Sequence, residues 1–137
     1  MKIVLIGNYK LLNSKSMNLY SLLLKKVLKL NGHNVKLIYA KPILNKYDLK
    51  INFIKKWLGY IDNYIIFGLS LNRKTKGSDL VHICDQANSL LYFFLSSKKV
   101  ILTCHDLIHI NLLSKKSLKI SATGKIYQKL IAHYLKK

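Results

Sequence analysis

Glutamate is missing from this chain, and its 5 acidic residues, all aspartates, face 24 basic ones, of which only Arg73 is an arginine. Without glutamate or another clustered ligand, the i,i+4 pair His105 and His109 does not read as a metal site. The scarcity of arginine argues against nucleic-acid readout, which favours the planar guanidinium fork. One proline and six glycines, with no Ser-, Gln- or Pro-rich stretch, leave no candidate linker, so residues 1–137 read as one domain. Two cysteines are too few for a disulfide framework. Cys84 and Cys104 each close an apolar run and are expected to be buried, reduced thiols. Long apolar runs are also lacking. Ile3–Ile6 is too short for the core of an export signal, and Trp57–Leu71 contains Asp62 and Asn63 and falls short of the ~20 residues of a spanning helix. A cytoplasmic protein is expected, at most peripheral at the inner face of the membrane.

What the chain does have is a net charge of +19 and 50% hydrophobic residues. The second is enough for one sizeable core. The first predicts attraction to something anionic: nucleic acid, an acidic membrane surface or phosphorylated substrates. The abundance of Lys, Asn, Ile, Leu and Tyr equally fits an AT-rich coding sequence, so part of the charge is background.

The hydrophobic pattern alternates between strand and helix. Lys2–Gly7 (KIVLIG) is an unbroken β-branched run, as in a strand buried on both faces of a parallel sheet. From Ser16 to Leu30 the positions Met17, Leu19, Tyr20, Leu23, Leu24, Val27, Leu28 and Leu30 follow a helical period, with Ser14 or Ser16 as N-cap and Gly32 as stop. Asn34–Ala40 returns as a strand closed by Pro42, completing a βαβ unit. Residues 47–76 carry helical spacing in two pieces that divide near Gly59. Asp79–Cys84 is a third strand, Gln86–Leu95 a helix capped by Asp85, and Val100–Cys104 a fourth strand. A last amphipathic helix runs from Ala122, capped by Ser121, to the terminus. The fold class is therefore α/β, a Rossmann-like parallel sheet with helices on both faces.

Ligands of such sheets bind beyond the carboxyl ends of the strands, which selects Gly7, Asn8, Tyr9, Asp85, His105 and Asp106. The first loop leads to a helix N-terminus near Ser16 whose free N–H groups suit a phosphate, although Ser14 and Ser16 as simple caps explain the same residues. It is neither a dinucleotide fingerprint nor a P-loop: no paired glycines follow Gly7, no acid ends the second strand, and Ser14 stands where a P-loop needs glycine. No cofactor is expected. His105 suits donation to sugar hydroxyl or phosphate oxygens, or a purely structural hydrogen bond. Asp85 and Asp106 have equally simple roles as cap and loop anchor.

Taken together, KIVLIGNY at Lys2–Tyr9, SM at Ser16–Met17, GHNVKLI at Gly32–Ile38, KKWLGYIDNYIIF at Lys55–Phe67, SDLVHICDQANS at Ser78–Ser89, VILTCHDLI at Val100–Ile108 and SATGKIYQKLI at Ser121–Ile131 resemble the N-terminal domain of the family-four (group one) retaining glycosyltransferases of GT-B architecture. The resemblance implies transfer of a sugar from a nucleotide-sugar donor to a glycan or lipid-linked acceptor. His105 would meet the donor sugar or its phosphate near the reacting centre. Gly7, Asn8 and Tyr9 would face the donor diphosphate, with Ser16 at the helix start and Asp106 beside His105, and Asp85 and Ser89 would line the acceptor side. In that family a second, C-terminal domain holds most of the donor. The sequence carries no such half, so the expectation is a chain that needs a donor-binding domain or partner chain to turn over.

The rival expectation is a basic module for an anionic membrane surface or nucleic acid. Lys55, Lys56, Arg73, Lys74 and Lys76 around Trp57–Leu71 support its membrane form.

Overall fold

A computed structural model of the protein describes residues 1–9, 14–46, 52–95, 99–105, 129–131 and 133. Strands β1 (Lys2–Ile6), β2 (Asn34–Ile38), β3 (Leu80–Ile83) and β4 (Val100–Leu102) form a parallel sheet in the order β2-β1-β3-β4. The chain is an α/β protein with a Rossmann-like sheet, and the KIVLI strand is interior to it, as its two-sided apolar composition requires.

The period of two along a strand sends alternate side chains to opposite faces, and each face has its own core. Ile3, Leu5 and Val35 pack with Tyr20, Leu24 and Leu28 of helix α1 (Lys15–Leu30). Val4, Ile6, Val81 and Ile83 pack on the other face with Phe67, Leu71, Leu91 and Leu95. Leu5, Ile6, Ile83, Leu71, Leu91 and Leu95 are fully buried, each stabilising the fold by roughly 1.5–3 kcal/mol relative to exposure.

Helix α1 ends where the sequence indicates. Gly32 takes φ +78°, His33 N–H donates to Leu28 O and Gly32 N–H to Lys29 O, a Schellman closure that needs a residue without Cβ strain in the left-handed region. Its apolar residues, however, form two stripes. Tyr20, Leu24 and Leu28 meet the sheet, while Leu19, Leu22, Leu23, Val27 and Leu30 are more than half exposed.

The segment after β2 is one helical column rather than two helices meeting at Gly59. Helix α2 (Asn52–Tyr60) continues through a π-helical stretch, Ile61–Ile66, into α3 (Phe67–Lys74). Between β3 and β4, Gln86–Leu95 is a 3₁₀ helix over ten residues. At its start Asp85 Oδ1 accepts from Ala87 N–H at 2.9 Å, the expected cap. Cys84 is buried, whereas Cys104 is exposed, because β4 ends at Leu102 and the chain is already leaving the sheet. The expected helix from Ala122 lies mostly outside the described residues. Of it, Lys129, Leu130, Ile131 and His133 are helical, and Ile131 is fully buried.

Candidate functional site

Parallel β1 and β3 lie side by side, but the chain leaves β1 toward α1 on one face and leaves β3 toward the 3₁₀ helix on the other. The carboxyl edge between them is the topological switch point of the sheet. There the loop after β1 and the loop after β3 are joined by side chains. Asn8 Nδ2 donates to Asp85 Oδ2 at 2.6 Å and to Ser14 Oγ at 3.1 Å. Asn8 Oδ1 in turn accepts from Asn88 Nδ2 at 2.8 Å, and Asn88 Oδ1 accepts from Asn63 Nδ2 at 3.1 Å. Asn8, Asp85, Asn88 and Asn63 are all buried. A chain of this kind in a weakly polar surrounding stays fixed because every broken link strands a buried polar group.

Gly7 adjoins this network for a packing reason. Its N–H extends the β1–β2 ladder to Ile38 O at 3.0 Å, and a Cβ there would run into the Tyr39 ring, so the close approach at Gly7 is filled by an aromatic side chain. Tyr9 is buried and turns away from the rim to bond Asp62 Oδ2. Ser14 occupies the N-cap position of α1 but makes no side-chain cap, its Oγ serving Asn8 instead. Ser16, in the first turn, is exposed.

His105 comes to the same edge from the end of β4. Its backbone N–H donates to Gln86 Oε1 and its Nε2 lies 3.0 Å from Cys84 O. A carbonyl only accepts, so Nε2 carries the proton and Nδ1 is the ring atom left for a ligand. The ring packs edge-on against Tyr20, whose hydroxyl is bonded to Thr103 Oγ1 at 3.0 Å, and the residue as a whole is exposed. Asp85, Asn8, Ser14 and His105 are thus brought to one rim. Ser89 is not on it: the residue is fully buried, and its Oγ has no hydrogen-bond partner. Asp106 and His109 lie outside the described residues. No group of three or more metal-ligating side chains occurs among the described residues, and no helix among them is long and apolar enough to cross a membrane.

Sequence reasoning missed Asn88, Asn63 and Asp62. The first two carry no signal, since an amide links residues 25 and 80 apart in sequence only once the chain is folded. Asp62 did carry one: a carboxylate inside an apolar helical run, in a chain this poor in acid, needs a local reason. It has one, accepting from Tyr9 Oη and from the backbone N–H groups of Ile43, Leu44 and Asn45.

Chemically, the rim offers a fixed carboxylate, hydroxyl groups, an exposed imidazole and the start of a helix. That set suits recognition of a hydroxyl-rich or phosphorylated ligand. No family model, curated protein or solved structure matches the chain. Fold and rim together define an α/β protein with a Rossmann-like sheet and a polar switch-point edge.

Proposed function

We propose that the chain is the acceptor-side, N-terminal half of a GT-B glycosyltransferase, acting on a nucleotide-sugar donor and a glycan or lipid-linked acceptor. The observation that carries this reading is the meeting of Asn8, Ser14, Asp85 and His105 at the edge of β1, β3 and β4. In this role Asp85, oriented by Asn8 and Ala87 N–H, accepts from acceptor hydroxyls. His105, with Nε2 donating to Cys84 O, accepts from a hydroxyl of the donor sugar through Nδ1. The start of α1, with exposed Lys15 and Ser16 and no acid in its first turn, faces the charge that develops on the departing diphosphate.

Binding is the appropriate readout, because such enzymes keep most donor contacts on a second domain. Isotope-labelled protein titrated with a panel of UDP-, GDP- and ADP-sugars and short oligosaccharides should show shifts confined to residues 7–9, 14–18, 85–88 and 103–105. His105→Ala should weaken that binding about tenfold. Shifts elsewhere, or none with any ligand of the panel, refute the assignment.

A second reading, peripheral contact with an anionic membrane, is favoured by α2, where Phe53 is 69% and Trp57 41% exposed beside Lys55 and Lys56. Flotation with anionic vesicles that fails in Phe53→Ser/Trp57→Ser supports it; flotation unchanged in that variant removes it.

A further inference from the structure

A cleft lies away from the switch-point rim, along the outer edge of the sheet. It opens between the end of β2 and the π–α3 column and encloses about 400 Å³. Its floor is apolar: Ile38 and Phe67 are buried, and Ile66 is partly so. Its rim carries three cations, Lys41, Arg73 and Lys74. Lys74 is half-buried; its Nζ reaches Ser70 Oγ at 2.7 Å and stands 4.8 Å from the centre of the Phe67 ring.

Among the described residues the three cations of the cleft outnumber its one carboxylate, Asp62. The described aspartates are Asp62, Asp79 and Asp85. Asp85 belongs to the rim network, and Asp79 bonds Lys2 N–H before β3. Asp62 does line the cleft, with its oxygens bonded by Tyr9 Oη and three backbone N–H groups, so its single charge offsets only part of the three. The cleft thus combines an apolar floor with an excess of positive charge over the carboxylates of the described residues. The Lys74 ammonium is pushed below its ordinary pKa, by burial first and then by the charges of Arg73, Lys41 and Lys36.

We propose that this cleft binds a phosphate-bearing amphiphile, the phosphate held by Lys41, Arg73 and Lys74 and its apolar body lying on Ile38, Ile66 and Phe67. The guanidinium of Arg73 takes two phosphate oxygens side by side, and the ammonium groups of Lys41 and Lys74 add point charge. A dianion relieves the repulsion among the three cations, and the apolar floor discriminates against bare phosphate. A cleft of this volume takes a small organic ligand or the first part of a lipid chain. The inference is independent of sugar binding at the switch-point rim, which lies at the junction of β1 and β3 and shares none of these side chains.

The test uses calorimetry on the full chain with three probes: inorganic phosphate, octyl phosphate and the uncharged octyl glucoside. Octyl phosphate should bind at least about tenfold more tightly than either of the others, and Arg73→Gln/Lys74→Gln should remove most of that advantage. Lys25→Gln/Lys29→Gln, which removes the same charge from α1, should retain it. Circular dichroism of both double variants verifies folding, and a single Arg73→Gln, on an exposed side chain, serves if the double variant unfolds. Flotation with phosphatidylcholine vesicles containing about one fifth phosphatidic acid separates the sources. Flotation lost only in the Arg73/Lys74 variant identifies a lipid headgroup, while octyl phosphate binding without flotation identifies a free phosphorylated ligand. Equal binding of octyl phosphate and octyl glucoside, or equal loss in the two double variants, overturns the proposal.

Discussion

Tyr9 Oη donates to Asp62 Oδ2 at 3.0 Å, tying the loop after β1 to the π-helical turn. The same carboxylate gathers the N–H groups of Ile43, Leu44 and Asn45, so it caps the 3₁₀ turn Leu44–Lys46. Burial alone pushes the Asp62 carboxyl up, but the backbone donors and the Tyr9 hydroxyl outweigh it and hold the group below the ordinary aspartate value. The Tyr9 phenol is pushed up to about 12, by burial first and then by Asp62, and stays a donor.

A depressed carboxylate pKa fixes the sign of the pH effect. The unfolded chain binds the proton first, so the stabilisation is complete above the ordinary aspartate range, about pH 4, and is lost as pH falls through the folded value. Asp62→Asn should therefore cost about 2 kcal/mol at neutral pH and flatten the acid limb of the stability curve. Denaturant midpoints from neutral to acid pH measure both; parallel curves for the two proteins would show that Asp62 is not the hub.

The Asn8–Asp85 bond predicts a separable pair of effects at the switch-point rim. Asn8→Ala and Asp85→Ala each strand buried partners and should destabilise by about 1–3 kcal/mol, with a coupling of about 1 kcal/mol or more in the double-mutant cycle. His105 is exposed, so His105→Ala should change stability by less than about 1 kcal/mol while lowering ligand affinity. Additive effects at Asn8 and Asp85 would break the network as described.

The elements legible in the sequence are those whose cause is local. KIVLI as an interior strand, Gly32 as the stop of α1 and Asp85 as the cap of the following helix each follow from one short stretch of residues. The π-helical turn was not legible, because its extra residue per turn serves distant partners. It lets Asp62 reach the 43–45 turn while its neighbour Asn63 reaches Asn88. Nor could periodicity decide which leucines of α1 meet the sheet, since Leu19, Leu23 and Val27 fit a helical stripe as well as Leu24 and Leu28 do. At the rim, strand ends pointed to Asn8, Asp85 and His105, but Asn88 and Asn63, which extend the network from Asn8, came from the helical segments.

Gly68 sits where α3 crosses the 3₁₀ helix, and a Cβ built there would stand 2.5 Å from Phe94 Cε2. Alanine gains about 1 kcal/mol of helix propensity but must displace that ring, which costs about 1–3 kcal/mol. Gly68→Ala should therefore lower the thermal midpoint, and Phe94→Leu in the same chain should restore part of it. A more stable Gly68→Ala protein would mean that the ring moves freely.

The two thiols should differ sharply in reactivity. Cys84 is 1% exposed, and its thiol is pushed up to about 12, chiefly by burial and then by the Asp85 charge, so almost no thiolate forms at neutral pH. Cys104 is exposed beyond the end of β4. Iodoacetamide on the native protein should modify Cys104 at least about a hundredfold faster than Cys84, as peptide mass mapping over time will read. Cys104→Ser should abolish the fast phase, and denaturant should bring Cys84 to the rate of an ordinary thiol. Equal native rates would mean that the junction of β3 with the switch-point rim opens far more often than a buried Asn8–Asp85 network permits.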